Sequence, residues 1–190
     1  MVIASSSSVA FNAGNSRSVS IVARATVETL REFPALNATL EDNTVTTYDG
    51  VHLGIAVSLG EGGLIVPVIR DAQKLSVEGL ASRIKDLAKR ARTNQLTADE
   101  VRGGSFTITN PGGYGSIMAT PVINQPQVAI LDTEAVVKRP VVITDELGND
   151  SIAIRSMMYL CMSWDHRALD GALAAQFLSS LRKKLETWPI

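Results

Sequence analysis

The apolar residues of this chain change their spacing four times, and that alternation limits the fold more than any other feature. From residue 18 to residue 33, Val19, Val22, Ala23, Val27 and Leu30 recur at helical intervals, and Pro34 stops the run. Residues 35–50 read as short strands and turns. Residues 53–57 and 64–69 read as strands across a glycine-rich turn, with Pro67 marking an edge or a bulge. Helical spacing returns after Ser76, where Val77, Leu80, Ala81, Ile84, Leu87, Ala88 and Ala91 form a stripe. Arg83, Lys85, Asp86, Lys89, Arg90 and Arg92 turn outward there and read as a solvated face. Residues 105–109 alternate as a strand. Further strands are predicted at 127–131, 135–143 and 151–164, with a hairpin turn inside 145–150. A last helix runs from Asp170 to about Thr187, with Ala174, Phe177, Leu178, Leu181 and Leu185 on one face. This order predicts an α+β domain, a mostly β sheet covered by a few helices.

A chain of 190 residues has the size of one domain. With 45% hydrophobic residues and a net charge of -1, it offers no electrostatic basis for holding nucleic acid or an anionic membrane. No run reaches the roughly 18 apolar residues of a membrane span. The single cysteine, Cys161, lies in the apolar run 157–162 and reads as a small buried hydrophobe. It has no partner for an internal disulfide, which suits a reducing compartment. Residues 1–17 are rich in Ser and Asn, with one arginine and no acid. They make a poor signal peptide and a weak transit peptide, and read as a disordered or loosely docked lead-in.

Chemistry concentrates near the C-terminus, in Ser163-Trp164-Asp165-His166-Arg167-Ala168-Leu169-Asp170-Gly171. A histidine between a strand and a helix can offer an imidazole at the mouth of a cleft, and imidazole moves protons near neutral pH. The plainer reading has Asp170 capping the helix, Gly171 easing the turn and His166 as a loop residue. The motif alone leaves both open. The other histidine, His52, reads as a strand-entry residue. In Asn110-Pro111-Gly112-Gly113-Tyr114-Gly115 the glycines let backbone approach a ligand or a second chain closely. Thr109, judged from its strand alone, is a β-branched residue with no chemistry.

Several ordered runs carry a resemblance. They are Gly103-Gly104-Ser105-Phe106-Thr107-Ile108-Thr109-Asn110, Thr120-Pro121-Val122-Ile123-Asn124-Gln125-Pro126-Gln127, Lys138-Arg139-Pro140 and His166-Arg167-Ala168-Leu169-Asp170-Gly171. With the strands at 53–57 and 64–69, they resemble the C-terminal catalytic domain of the dihydrolipoyl acyltransferase component of 2-oxo acid dehydrogenase complexes, over about residues 18–187. The resemblance implies a chloramphenicol acetyltransferase-like fold with the active site at a trimer interface. It implies acyl transfer between dihydrolipoamide and coenzyme A, with coenzyme A as a substrate, the lipoyl group on a separate domain, and no metal. By motif match, His166 is the general base for the thiol and Thr109, from a neighbouring subunit, the hydroxyl that holds the oxyanion. Asp170 is chiefly structural and pairs with an arginine of the N-terminal helix. The implied partners are two further copies of the chain, a 24- or 60-subunit core, the decarboxylating dehydrogenase and dihydrolipoyl dehydrogenase. The implied location is the cytoplasm, or the mitochondrial matrix in a eukaryote.

The residue types suit that chemistry. A thiol with a pKa near 8.5 is mostly protonated at neutral pH, and an imidazole near 6.5 can take its proton as attack proceeds. The family's domain ordinarily opens with a strand and an arginine-bearing helix, which residues 1–17 do not resemble. A catalytic domain over 18–190, shortened at its N-terminus and without lipoyl or peripheral-subunit-binding domains, is therefore expected. Arg17 or Arg24 is left to pair with Asp170, and Asp132 stands where glycine is common. Two other functions stay open: a non-catalytic structural core subunit, and a free-standing CoA-dependent O-acetyltransferase. The tail Trp188-Pro189-Ile190 is expected to join trimers, the alternative being that Trp188 folds back on its own domain.

Overall fold

The computed structural model describes residues 2–3 and 16–188. Most of the expected lead-in, residues 4–15, lies outside the described residues, as do Pro189 and Ile190. A two-residue strand, β1 (Val2–Ile3), is followed by the long helix α1 (Ser16–Glu32), and Pro34 opens the turn that ends it. Strands β2 (Ala38–Glu41) and β3 (Thr44–Thr47) form a hairpin. Its two turn residues, Asp42 and Asn43, take left-handed φ values of 46° and 65°, as tight hairpin turns require.

The two strands expected at 53–57 and 64–69 each divide. β4 (Leu53–Ile55) and β7 (Val68–Ile69) join the main sheet, while β5 (Val57–Ser58) and β6 (Leu64–Ile65) make a small hairpin of their own. Pro67 has no N–H to give a ladder, but its carbonyl accepts from the Ile55 N–H at 2.9 Å. Helix α2 (Val77–Arg92) is capped by Ser76, whose Oγ accepts from the Gly79 N–H at 3.1 Å. Then come β8 (Phe106–Thr109), β9 (Ala129–Thr133), β10 (Val137–Thr144), β11 (Asp150–Met158), β12 (Leu160–Trp164) and α3 (Gly171–Glu186). The single strand expected at 151–164 is thus two strands in different sheets, with a corner at Tyr159. Unbroken apolar content across the corner hides it from a periodicity reading.

The main sheet has the order β12-β9-β8-β4-β7, with β8 parallel to both β4 and β9 and the outer pairs antiparallel. The pleat sorts its side chains. Leu53, Ile55, Phe106, Ile108, Ala129 and Leu131 face the helices, where they are buried against Leu30, Leu80, Leu87, Phe177 and Leu181. The Phe177 ring lies 5.9 Å from that of Phe106 and 6.0 Å from that of Phe33. The opposite face carries Thr107, Thr109, Asp132, Cys161 and Ser163, a polar row on a sheet whose first face is apolar. The β10–β11 hairpin projects separately, with eight rungs from Val137↔Met157 to Thr144↔Asp150, and β1 pairs along the far side of β11. Pro140, Val142, Ile152 and Ile154 share one side of this ribbon, and the last three are 64%, 79% and 69% exposed. Trp188 is half-buried against the chain's own core, the alternative considered for the tail. No described helix is long and apolar enough to cross a membrane.

Candidate active site

A tight turn between β12 and α3 holds His166 at its tip. Asp165 builds that turn: its main-chain carbonyl accepts from the Ala168 and Leu169 N–H groups at 3.0 Å. Its carboxylate accepts from the Arg167 N–H at 3.0 Å and from the guanidinium at 3.0 and 2.7 Å. These hydrogen bonds from Arg167 hold the Asp165 carboxyl down at about 2, so the turn stays clamped through the neutral range. Leu169 is buried and anchors the far side, whereas His166 is exposed with its ring 6.0 Å from that of Trp164. Asp170 caps α3, its Oδ1 accepting from the Leu173 N–H at 2.8 Å. The expected pairing with Arg24 is absent: Arg24 instead bonds to Glu28, the Gln73 carbonyl and the Leu75 carbonyl. The side chain of Arg17, the other candidate, lies outside the described residues. Gly171 opens α3 directly, and a side chain there would meet only the Trp164 ring at an ordinary 3.8 Å.

Thr109 ends β8 half-buried, and among the described residues nothing engages its hydroxyl. The residue borders a cleft of about 1090 Å³ at the carboxyl ends of the parallel strands β4 and β8. Ile55, Val57 and Ile108 give the cleft apolar walls, the turn Pro111–Tyr114 closes one side, and α2 forms the other. Clefts at the carboxyl ends of parallel strands are common ligand sites. Gly112 is required by close approach: a Cβ there would run into the backbone of Glu134 and Ala135. His52 is structural, its Nδ1 accepting from the Asp71 N–H at 3.2 Å.

The register places His166 and Thr109 at opposite ends of the sheet. Thr109 neighbours Asp132 across β9, and Asp132 neighbours Cys161 at the start of β12. Trp164, at the end of β12, faces Ala129. Asp165 still bonds to Val128, which puts His166 level with Gly104. Five residues of strand, roughly 16 Å, therefore separate the two groups along the strands of one chain.

Beside Thr109 lies a feature only half visible in the sequence. Asp132 and Glu134 sit two residues apart, both fully buried, and none of their four carboxylate oxygens meets a donor among the described residues. Burial first, and the adjacent Glu134 carboxyl after it, together push the Asp132 carboxyl up to about 7. The same surroundings push the Cys161 thiol up, chiefly by burial. Acids at i and i+2 on a strand were the available signal. On α2, Lys85, Lys89 and Arg92 line the cleft, although periodicity assigned them to solvent.

Helices on one face of a mixed sheet, with a cleft at its parallel strand ends, define a chloramphenicol acetyltransferase-type fold. Chloramphenicol acetyltransferase itself superposes with a TM-score of 0.50 over 93% of this chain and 83% of its own, at 17% identity. Residues 6–189 match the family of 2-oxoacid dehydrogenases acyltransferase (catalytic domain), and the chain belongs to that family. It is 48% identical over 166 residues (86% of this chain, 30% of the relative) to the dihydrolipoyllysine-residue acetyltransferase component of the pyruvate dehydrogenase complex of Mycobacterium bovis. It is 44% identical over 168 residues (88% of this chain, 39% of the relative) to the dihydrolipoyllysine-residue succinyltransferase component of the 2-oxoglutarate dehydrogenase complex of Bacillus subtilis. The dihydrolipoamide acetyltransferase of Azotobacter vinelandii superposes with a TM-score of 0.82 at 34% identity, over 89% of this chain and 68% of its own. The chain thus spans roughly a third of the length of the curated relatives it matches.

Proposed function

We propose that this chain moves an acyl group between dihydrolipoamide and coenzyme A as the catalytic domain of a 2-oxo acid dehydrogenase complex. The observation that carries the reading is the placement of His166 and Thr109 at opposite ends of one sheet. Two groups that act on one tetrahedral carbon must each approach it closely, so a working site pairs His166 of one copy with Thr109 of the next. A closed trimer supplies three such pairs by symmetry. The exposed turn around His166 and the hydroxyl of Thr109, which has no partner among the described residues, fit such a division.

The chemistry follows from the two groups. The His166 imidazole takes the proton of the coenzyme A thiol as its sulfur attacks the thioester carbonyl of the acylated lipoyl group. The carbonyl oxygen becomes an oxyanion, and the neighbouring Thr109 hydroxyl donates to it. One such donor contributes about 3–4 kcal/mol to an acyl-transfer transition state. Collapse breaks the original carbon–sulfur bond, and the imidazolium returns its proton to the departing dihydrolipoamide sulfur. Asp170 holds the start of α3 and so positions the turn. The lipoyl group comes from another domain. The same reading gives the chain a place in a multisubunit core with the decarboxylating dehydrogenase and dihydrolipoyl dehydrogenase.

The acyl group is tested directly by supplying free dihydrolipoamide with acetyl-CoA and with succinyl-CoA and following thiol exchange. Turnover with at least one donor, in fractions sedimenting as trimers or larger, is expected. A well-folded monomer that turns over, or a trimer that uses neither donor, refutes the reading.

A further inference from the structure

A histidine that takes a proton from a chosen atom is ordinarily oriented by a third group, most often a carboxylate. The turn that carries His166 has two acids, and neither serves. The Asp165 carboxylate accepts from the Arg167 guanidinium at 3.0 and 2.7 Å. Asp170 caps α3 through the Leu173 N–H at 2.8 Å. No described group hydrogen-bonds to the His166 imidazole, and the one ring beside it is the indole of Trp164, 6.0 Å away between centroids at a tilt of 46°. Trp164 is itself fixed. It ends β12 opposite Ala129, on the side of the sheet that the helices cover, and packs half-buried against the core. Its Cζ2 lies 3.8 Å from where a Cβ on Gly171 would stand, so the same ring lies against the start of α3. The indole N–H is buried and meets no acceptor among the described residues. A buried indole N–H ordinarily finds a partner, and leaving it without one costs about 1–3 kcal/mol. A phenylalanine would make the same kind of apolar contact without that cost, so packing alone does not call for an indole.

We infer that Trp164 is the positioning residue for His166: its ring is the wall that limits rotation of the imidazole and the π-system that attracts the imidazolium formed during acyl transfer. The inference rests on the function proposed above. An aromatic ring attracts a cation within about 6 Å of its centroid, and tryptophan does so best. An exposed imidazole with no hydrogen bond otherwise samples several rotamers, of which only those aimed at the thiol are productive. Trp164 does not touch the reacting atoms; it acts through His166.

The test uses the full chain in its native assembly. Trp164 and Trp188 are the chain's two tryptophans, so every variant is built on Trp188→Phe, which leaves Trp164 as the sole source of indole emission. Against that reference, Trp164→Leu should lower kcat for acyl exchange between acetyl-CoA and dihydrolipoamide by about tenfold or more, with KM for both within about twofold. Trp164→Phe, which keeps an aromatic face, should recover most of the loss. Emission supplies the readout that a packing role would not move. A protonated imidazole quenches a neighbouring indole, so emission should fall between about pH 8 and about pH 5.5 in the reference and hold level in His166→Gln. An unchanged kcat in Trp164→Leu, equal losses from leucine and phenylalanine, or emission that falls alike with and without His166 overturns the inference and leaves the proposed function standing. A reference that exchanges no acyl group overturns the proposed function, and the emission comparison then decides whether Trp164 holds the imidazole. The same comparison decides the inference if Trp164→Leu does not fold.

Discussion

A mixing experiment exposes the division of the site most directly. Take one chain with His166→Ala and another with Thr109→Ala, and refold them together at equal amounts. Within one chain the two groups lie roughly 16 Å apart along the strands, so neither chain can build a site by itself. On the proposed function, each site of a trimer draws its imidazole from one copy and its hydroxyl from the neighbour. With random assembly, half of the imidazole positions and half of the hydroxyl positions are intact, and a quarter of the sites carry both. Loss of a general base lowers turnover by roughly 10²–10⁴-fold and loss of an oxyanion donor by roughly 10²–10³-fold, so each variant alone gives about 1% or less. Thiol exchange in the mixture should therefore climb to about a quarter of the parent rate. A mixture no more active than the mean of its two components refutes the reasoning. The reciprocal mixture, a doubly substituted chain with the parent, should retain about a quarter of the parent rate if the site is shared and about half if it is not.

Replacing Asp132 with Asn should stabilise the protein at alkaline pH and leave it nearly unchanged in acid. Below pH ~4 the folded and unfolded carboxyls both hold a proton. As pH rises from there through about 7, the unfolded carboxyl ionises while the folded one, raised by burial beside Glu134, does not, and stability falls. The cost above that window is on the order of 4 kcal/mol. Thermal melts at pH 4.5 and pH 8 check it, and equal effects at both would show that the Asp132 carboxyl is not raised in the folded protein. Gly112→Ala should cost roughly 1–3 kcal/mol in denaturant titrations, because the added methyl meets the backbone of Glu134 and Ala135. An unchanged midpoint would show that the turn moves freely. Asp170→Ala should cost about 1 kcal/mol through loss of the α3 cap, while Asp170→Ser restores most of it; equal losses would place the role of Asp170 elsewhere.

Much of the fold is legible because local rules and tertiary packing agree. The limits of α1 follow from its stripe and Pro34, and those of α2 and α3 from Ser76 and Asp170 acting as caps. The strands at 53–57, 64–69 and 151–164 fail in a common way. Each is one extended run by composition, yet Ala56, Pro67 and Tyr159 mark corners at which the chain changes sheets. A corner alters which neighbour a strand pairs with, and alternation along the strand carries no record of its neighbour. The placement of His166 on a junction is readable for the same reason the helix caps are. Its distance from Thr109 is not, because it depends on the register of β12 against β9 and of β9 against β8. The acids at Asp132 and Glu134 defy composition: both are fully buried, and their side-chain oxygens have no partner among the described residues, although carboxylates ordinarily stay at the surface.

The β10–β11 ribbon has a consequence for how such a chain must be made. Pro140, Val142, Ile152 and Ile154 line one side of it and stand in water while the chain is alone. Isolated two-stranded ribbons are marginally stable in water, and an uncovered apolar stripe beside open ladder edges invites pairing with any similar strand. A freshly synthesised copy therefore races between capture by its proper neighbours and capture by another unfinished copy. Slow translation and low concentration favour neither outcome equally: dilution starves assembly, while crowding feeds aggregation. Yield of soluble protein should then pass through an optimum in expression rate.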